Sequence, residues 1–266
     1  MQAKVSRSGF YEWSQRSEIH DCEFEVDLIT LIFEAKKRKA GARTLKMILF
    51  RDFEITMNLK KIRRIKHKFG LETVIRRKNK YTWSGTVGEN HQTVPNYLER
   101  EFSDQKQDEA YSTDITYLTY GNGQRAYLSA IKDLSTREIL HYHVSRTMTL
   151  DLAMNGIEDF YRSLPVEMRR NLIVHSDQGC HYTSNSYRSL LEELEILQSM
   201  SRRGNCLDNA PIESFFGHMK DELDLHSCRK YEDLVVHIDK FINFYNTERP
   251  QWGLKSKTPA ECRRLN

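Results

Sequence analysis

Cysteine pairs, loop-forming residues and long apolar runs are all scarce in this chain of 266 residues. Its five cysteines, Cys22, Cys180, Cys206, Cys228 and Cys262, are odd in number, widely spread, and form no C-x-x-C pair. That argues against a disulfide framework or a zinc ribbon and fits a reducing compartment. The 12 glycines and 5 prolines amount to about half the usual share, which excludes a collagen-like or linker-dominated protein. The longest apolar stretches, such as that around residues 28–33, fall far short of the roughly 18 residues a membrane helix needs. The opening MQAKVSRSGF holds no apolar core for a signal peptide. The expectation is a soluble, cytoplasmic protein with no membrane partner.

What is present is charge, unevenly placed. Between Lys36 and Lys80, 17 Lys and Arg stand against 3 acids, a net of +14 in a chain whose total is +4, so the rest carries −10. Such a split points to a basic module for a polyanion joined to something acidic enough to hold cations; a solvated helix surface is the plain alternative. Leu59, Ile62, Ile65 and Phe69 recur at helical spacing, while Lys60, Lys61, Arg63, Arg64, Lys66 and Lys68 fill the other faces. Asn58 fits an N-cap and Gly70 a position just past the C-terminus. Upstream, residues 42–50 read as a short helix and residues 26–39 as a longer one. Two short helices about a turn, the second basic, form a helix-turn-helix-like pattern, though other basic helical modules share it. Lys60, Lys61, Arg63 and Arg64 are its candidate DNA-binding residues.

Residues 84–107 lose periodicity and read as a linker between a basic helical region, 1–83, and a second domain, 108–266. From Ala110 the texture changes. A-Y-S-T-D-I-T-Y-L-T-Y alternates and is rich in β-formers, so residues 110–120 predict a strand. Gly121-Asn122-Gly123 is a turn signal, residues 124–133 a second strand, and residues 138–145 a third. Helices are expected over 150–164, 184–194, 209–223 and 231–247, with short buried strands at 172–175 and 196–199. The order β-β-β-α-β-α-β-α implies a mixed α/β sheet with helices on both faces. Tyr231, Leu234, Val235, Ile238, Ile242 and Tyr245 form an apolar stripe for its core.

Three acids occupy unusual places. Asp114 lies mid-strand, where Asp is depleted. Asp177 follows a short apolar strand, at the kind of strand end outside which α/β proteins bind ligands. Glu213 falls in the first turn of a helix that Asp208 or Asn209 can cap and Pro211 can open. Each has an ordinary explanation: a salt bridge, a turn, a favourable helix dipole. Brought together they would repel, and two divalent cations would resolve the conflict. Oxygen donors suit Mg²⁺, with Mn²⁺ possible, and a two-ion site stabilises both the attacking and the leaving oxygen of a phosphoryl displacement.

At these residues the chain resembles the OrfB transposases of IS-three-type bacterial insertion sequences, whose core is similar to retroviral integrases. The motifs are S-T-D-I-T-Y (112–117), H-S-D-Q-G-C-H-Y-T-S (175–184), S-M-S-R-R-G-N-C-L-D-N-A-P-I-E-S-F-F (199–216) and F-Y-N-T-E-R-P (244–250). Thirty-five residues separate Asp177 from Glu213, the D-D-(35)-E spacing of that superfamily, and Lys220 falls seven after Glu213, as in its Glu-x6-Lys/Arg pattern. V-S-R-S-G-F-Y-E-W resembles the family's opening. Gln251 stands where members often carry His, which weakens any role for that side chain.

The resemblance implies an RNase H-like five-stranded mixed sheet behind the basic helical domain. It implies that Asp114, Asp177 and Glu213 bind two Mg²⁺ and carry catalysis of DNA cleavage and 3′-OH strand transfer. Lys220, Asn209, Asn246 and Arg249 become candidate DNA contacts; helix capping is the alternative for Asn209 and a solvated lysine for Lys220. Gln178 and Gly179 would shape the loop after Asp177. His175 and His181 lack a His/Cys array, so no zinc site is expected. Implied partners are the element ends and target DNA, further copies of the chain on those ends, and an upstream OrfA segment joined by frameshift. The bacterial location would be cytoplasmic, at the nucleoid when bound. Competing readings are an RNase H-like nuclease without strand transfer and a non-catalytic DNA-binding remnant.

Overall fold

The computed structural model describes residues 8, 22–74, 93–100, 102, 106–202, 205 and 207–265. The opening motif, apart from Ser8, and the first part of the expected linker, 84–92, lie outside the described residues. The chain divides into two compact units, residues 1–74 and 75–266.

In the first unit, α1 (Glu23–Ala35), α2 (Ala42–Phe53) and α3 (Leu59–Lys68) enclose a small core. Ile29, Phe33, Leu45, Leu49, Ile62 and Ile65 supply most of it. Asn58 caps α3 as expected, accepting a 2.8 Å bond from Lys60 N. Gly70 follows at φ +63, the left-handed conformation that ends helices. Two details differ from expectation. The first helix starts and stops three to four residues earlier than 26–39, because Lys37 and Arg38 adopt left-handed backbone (φ 50 and 59) that breaks the helix. Phe69 lies past the end of α3 and is exposed rather than joining the apolar stripe.

The second unit is built on a five-stranded sheet. Its strands are β1 (Ala110–Tyr120), β2 (Gln124–Asp133), β3 (Ile139–Ser145), β4 (Ile173–Ser176) and β5 (Leu197–Met200), in the order β3-β2-β1-β4-β5. The first three form an antiparallel meander, and β1–β4 and β4–β5 pair in parallel. Alternation along β1 and β2 sends side chains to two different cores. Leu118, Tyr120, Leu128 and Ala130 meet α6 (Ala210–Glu222) and α7 (Tyr231–Thr247) on one face. There Phe215 of α6 packs edge-to-face on Tyr245 of α7, with ring centroids 4.9 Å apart. Tyr111 and Ile131 meet α4 (Leu150–Ser163) and α5 (Asn185–Glu193) on the other. The final helix α8 (Pro259–Leu265) is tied down through Arg263, which pairs with Asp108 (2.7 Å), Asp133 (3.0 Å) and Glu138.

Part of the expected linker belongs to this unit. Within 93–100, Tyr97 N donates to Ser199 Oγ (3.0 Å), Pro95 O accepts from Met200 N (3.3 Å), and Leu98 is buried against Ala110 and Leu134. Lack of periodicity marks irregular backbone, and irregular backbone can still be packed. No described helix is long and apolar enough to cross a membrane.

Candidate active site

The parallel register of β1 and β4 decides where the first two acids lie. Ser112 pairs with His175, the last paired position on β1. Two residues further along each strand come Asp114 and Asp177, so the register sets them side by side just beyond the end of the β1–β4 ladder. Asp114 shares its sheet face with Ser112 and Thr116, the face that carries α6. Its carboxylate accepts a 2.7 Å bond from Ile115 N. Burial pushes Asp114 well above the usual carboxylate range, the negative charge of Asp177 pushes it further, and that of Glu213 adds to both. Asp114 therefore feels the other two acids.

Asp177 is also raised, first by burial, against the opposing effects of the Gly179 N–H and the nearby His181. The carboxylate folds back to accept a 2.8 Å bond from Gly179 N. A Cβ at residue 179 would stand 2.9 Å from Asp177 Oδ1, so the close approach needs glycine. Gln178 Nε2 donates to Ser201 O (3.1 Å), anchoring the same loop to the strand end of β5. His175 is buried between Ser199 Oγ (2.9 Å) and Ser201 Oγ (3.1 Å), and burial pushes it down to about 4. It is a neutral strut tying β4 to β5 and to the residue that follows it.

Glu213 stands exposed in the first turn of α6, where the helix dipole favours a carboxylate. Lys220 fixes that helix against β1. Its ammonium donates to Thr116 Oγ1 (2.6 Å) and lies 4.7 Å from the Tyr117 ring centroid. Thr116 is two residues from Asp114 on the same face, and Glu213 is two helical turns from Lys220, so the Lys220 anchor aims the Glu213 face at Asp114. Among the described residues no group of three or more His, Cys, Asp or Glu is arranged to hold a metal ion. The donors at hand are the two half-buried carboxylates with the exposed Glu213 beyond them. That set fits Mg²⁺, which takes one or two carboxylates and completes its shell with water and phosphate.

The start of α6 departs from the capping expected of it. Asp208 makes no cap, because its fully buried carboxylate accepts from Arg100 Nε (2.7 Å), Arg202 N (3.0 Å), Arg202 Nε (2.9 Å) and Arg202 Nη2 (3.1 Å). Those donors hold it well below the usual carboxylate range. Asn209 occupies the N-cap position but its ψ of 12° is not the extended value that aims a capping side chain, and no cap bond forms. Both polar atoms of its buried amide lack a partner among the described residues. One further tie was not foreseen from the sequence. Lys132 on β2 is buried, donates to Pro211 O (2.6 Å) at the start of α6, and is pushed down to about 7 by burial, then by Arg137 and Arg249.

The remaining candidates separate clearly. Asn246 exchanges two bonds with Ile139, accepting from its N (3.0 Å) and donating to its O (2.9 Å), which holds the edge strand β3 to α7. Arg249 grips Glu222 at 2.9 and 2.8 Å. Both candidate DNA contacts, each half-buried, thus also hold the fold together through these bonds. In the first unit Lys60 and Arg63 are exposed and Arg64 is half-buried. Lys61 pairs with Glu25, while Lys66 bonds Thr73 Oγ1 (3.1 Å) over the Phe33 ring.

Comparison with known proteins settles the family. Integrase core domain families match residues 104–206 and 194–259, and an HTH-like domain family matches residues 20–79. Over 263 residues the chain is 32% identical to the InsK protein of insertion sequence element IS150 from Escherichia coli, covering 98% of this chain and 90% of that one. The chain belongs to the insertion-sequence transposases. It is also 32% identical over 229 residues to transposase InsF for insertion sequence IS3A of Escherichia coli, covering 82% and 76% of the two chains. In fold it is similar to a chain of the simian T-cell lymphotropic virus intasome, with a TM-score of 0.50 at 15% identity over 88% of this chain and 73% of that one. The RNase H-like mixed sheet and the helical N-terminal domain expected from the sequence are those of the family, and the enzyme is a polynucleotidyl transferase acting on DNA.

The electrostatics of the site give a first expectation. Asp114 is raised in the folded chain, so above the unfolded value near 4 the folded state holds more protons and stability falls as pH rises. Asp114→Asn removes that cost. Without divalent ions its melting temperature at neutral pH should exceed that of the wild type by about 2–4 °C, the shift of roughly 1 kcal/mol in a domain this size. The gap should close as pH falls toward 4 in scanning calorimetry; an equal or lower melting temperature for the variant at pH 7 would contradict the burial of this charge.

Proposed function

We propose that this transposase cuts DNA at the element end and joins the freed 3′-OH to target DNA at one site formed by Asp114, Asp177 and Glu213 with two Mg²⁺ ions, Mn²⁺ being an alternative. The observation that carries the reading is the β1–β4 register: it brings two half-buried, mutually repelling carboxylates to adjacent strand ends, with Glu213 acting on Asp114 from α6. Bound ions would neutralise these acids and the phosphate and make water acidic enough to act as a nucleophile near neutral pH. Asp114 and Asp177 hold the site from rigid strand ends. Glu213 closes it from the first turn of α6, and Lys220 keeps that helix in place while offering positive charge at the rim. The partnerless amide of Asn209, one turn before Glu213, orients the phosphodiester or the water that attacks it. Lys60 and Arg63 on α3 contact DNA phosphates. Partners are the element ends and the target duplex, with a multimer of this chain on the ends and an upstream OrfA segment for end recognition.

Cleavage followed by joining needs only a change of nucleophile, so one site serves both steps. Incubating the chain with pre-cut element ends, a target plasmid and Mg²⁺ should yield joined products. Nicking without any joining would favour the RNase H-like nuclease reading, and binding without either would favour a non-catalytic remnant.

A further inference from the structure

The sheet's second face is covered unevenly. Helix α4 crosses it at the level of Ser129, where a Cβ on Gly156 would stand 3.6 Å from Ser129 Oγ. Beyond that level the meander runs on toward its Tyr120–Gln124 turn. The next rows on this face are Tyr117, Tyr127 and Ser145, then Thr119 and Arg125, by the registers Tyr117↔Tyr127, Tyr127↔Ser145 and Thr119↔Arg125. Tyr117 is 57% exposed, Thr119 and Arg125 are exposed, and Tyr127 is half-buried. Adjacent aromatics exposed on a sheet face and rimmed by polar side chains make a contiguous surface of the kind found at interaction sites.

This open end adjoins the carboxylates. Tyr117 is three residues after Asp114 on β1, about 10 Å along a strand. The ladder to β4 stops at Ser112, so among the described residues no strand pairs with this edge of β1 beyond it. Lys220 comes around that edge from α6, bonding Thr116 on one face and holding its ammonium over the Tyr117 ring, 4.7 Å from the centroid. The Lys220 ammonium, an aromatic face and the Arg125 guanidinium thus run outward from the site. Aromatic rings flanked by cations bind single-stranded nucleic acid with little regard to sequence, because every base has a π-face.

We infer that the exposed sheet face of Tyr117, Tyr127 and Arg125, with Lys220 at its edge, is a stacking platform for an unpaired DNA strand leaving the carboxylate site. The inference rests on the DNA-cutting reading above and adds to it a strand-separated substrate. A base stacks on Tyr117, Tyr127 supports the next, and Arg125 and Lys220 take the phosphates between them.

The test uses the full chain, a thymidine single strand of about 12 nucleotides, and a duplex of the same length, followed by fluorescence anisotropy. Tyr117→Ala should weaken single-strand binding by about five- to a hundredfold and leave duplex binding within about twofold, while Tyr117→Phe keeps both. Tyr117→Leu, which preserves bulk without a π-face, should behave as Ala. A 2-aminopurine placed in the strand should be quenched by the wild type and by Phe but not by Leu. Equal single-strand affinity of wild type, Ala and Leu overturns the platform and leaves the transposase reading standing. A change of oligomeric state in Tyr117→Ala without loss of strand affinity overturns it too, in favour of a subunit interface. Failure of the wild type to bind either DNA brings down both readings.

Discussion

Glu213→Gln is expected to leave the melting temperature and DNA affinity of the chain within a few per cent of wild type while lowering strand cleavage by about a thousandfold or more. The substitution keeps shape and removes one charge at an exposed first-turn position of α6, so packing has little to lose. The side chain's worth lies in what it does to the site. Its charge already acts on Asp114, and a cation shared among these acids depends on every negative ligand. Loss of several kcal/mol of charge stabilisation corresponds to three orders of magnitude in rate. A gel assay on a labelled element end reads the effect, with anisotropy on the same DNA as the binding control. Cleavage within tenfold of wild type would remove Glu213 from the site.

Asp208→Asn is expected to produce the largest loss of stability among changes near the site. The carboxylate is wholly buried and accepts four bonds from Arg100 and Arg202. Asn cannot meet two guanidiniums with charge, and a hydrogen bond to an ionised group carries more than a neutral one. Because the arginines stay partly solvated, the cost is about 2 kcal/mol rather than that of a sealed ion pair. A fall of about 4–8 °C in melting temperature follows for a domain of this size. The pH dependence has a definite sign. Asp208 is depressed in the folded chain, so its contribution is complete above the unfolded value near 4 and is lost as pH falls below it. Wild type and variant should therefore converge in acid and differ most above pH 5. Hydrogen exchange should quicken at Arg100 and Arg202 together, since one carboxylate holds both the 93–100 segment and the loop before α6. A variant as stable as wild type at pH 7 would show that this loop is held by other contacts.

Local signals in the chain carried different amounts of the architecture. The alternation of β1 and β2 and the Gly121-Asn122-Gly123 turn give both strands their observed limits, because a two-residue period and a turn are local properties. The apolar stripe of α7 is likewise visible: Leu234, Ile238, Ile242 and Tyr245 are buried as their spacing requires. What the sequence conceals is tertiary competition for polar groups. Asp208 reads as an N-cap in isolation, yet Arg100, 108 residues away, takes its carboxylate. Asn246 and Arg249 read as free to contact DNA because nothing local reveals Ile139 or Glu222 as partners. Nothing in the sequence singles out Lys132, whose partner, Pro211 O, lies 79 residues away at the start of α6. The neighbouring places of Asp114 and Asp177 depend on the parallel pairing of β1 with β4, a contact between segments some sixty residues apart that periodicity does not report.

The claim on which the rest depends is that these two strand-end acids and the α6 glutamate share divalent ions. Anomalous diffraction from crystals of the chain grown with Mn²⁺ tests it directly. The account predicts peaks bonded to Asp114 and Asp177 at about 2.0–2.2 Å, with Glu213 turned inward to complete the set. Ordered Mn²⁺ elsewhere, with both aspartates bare at saturating metal, would contradict it.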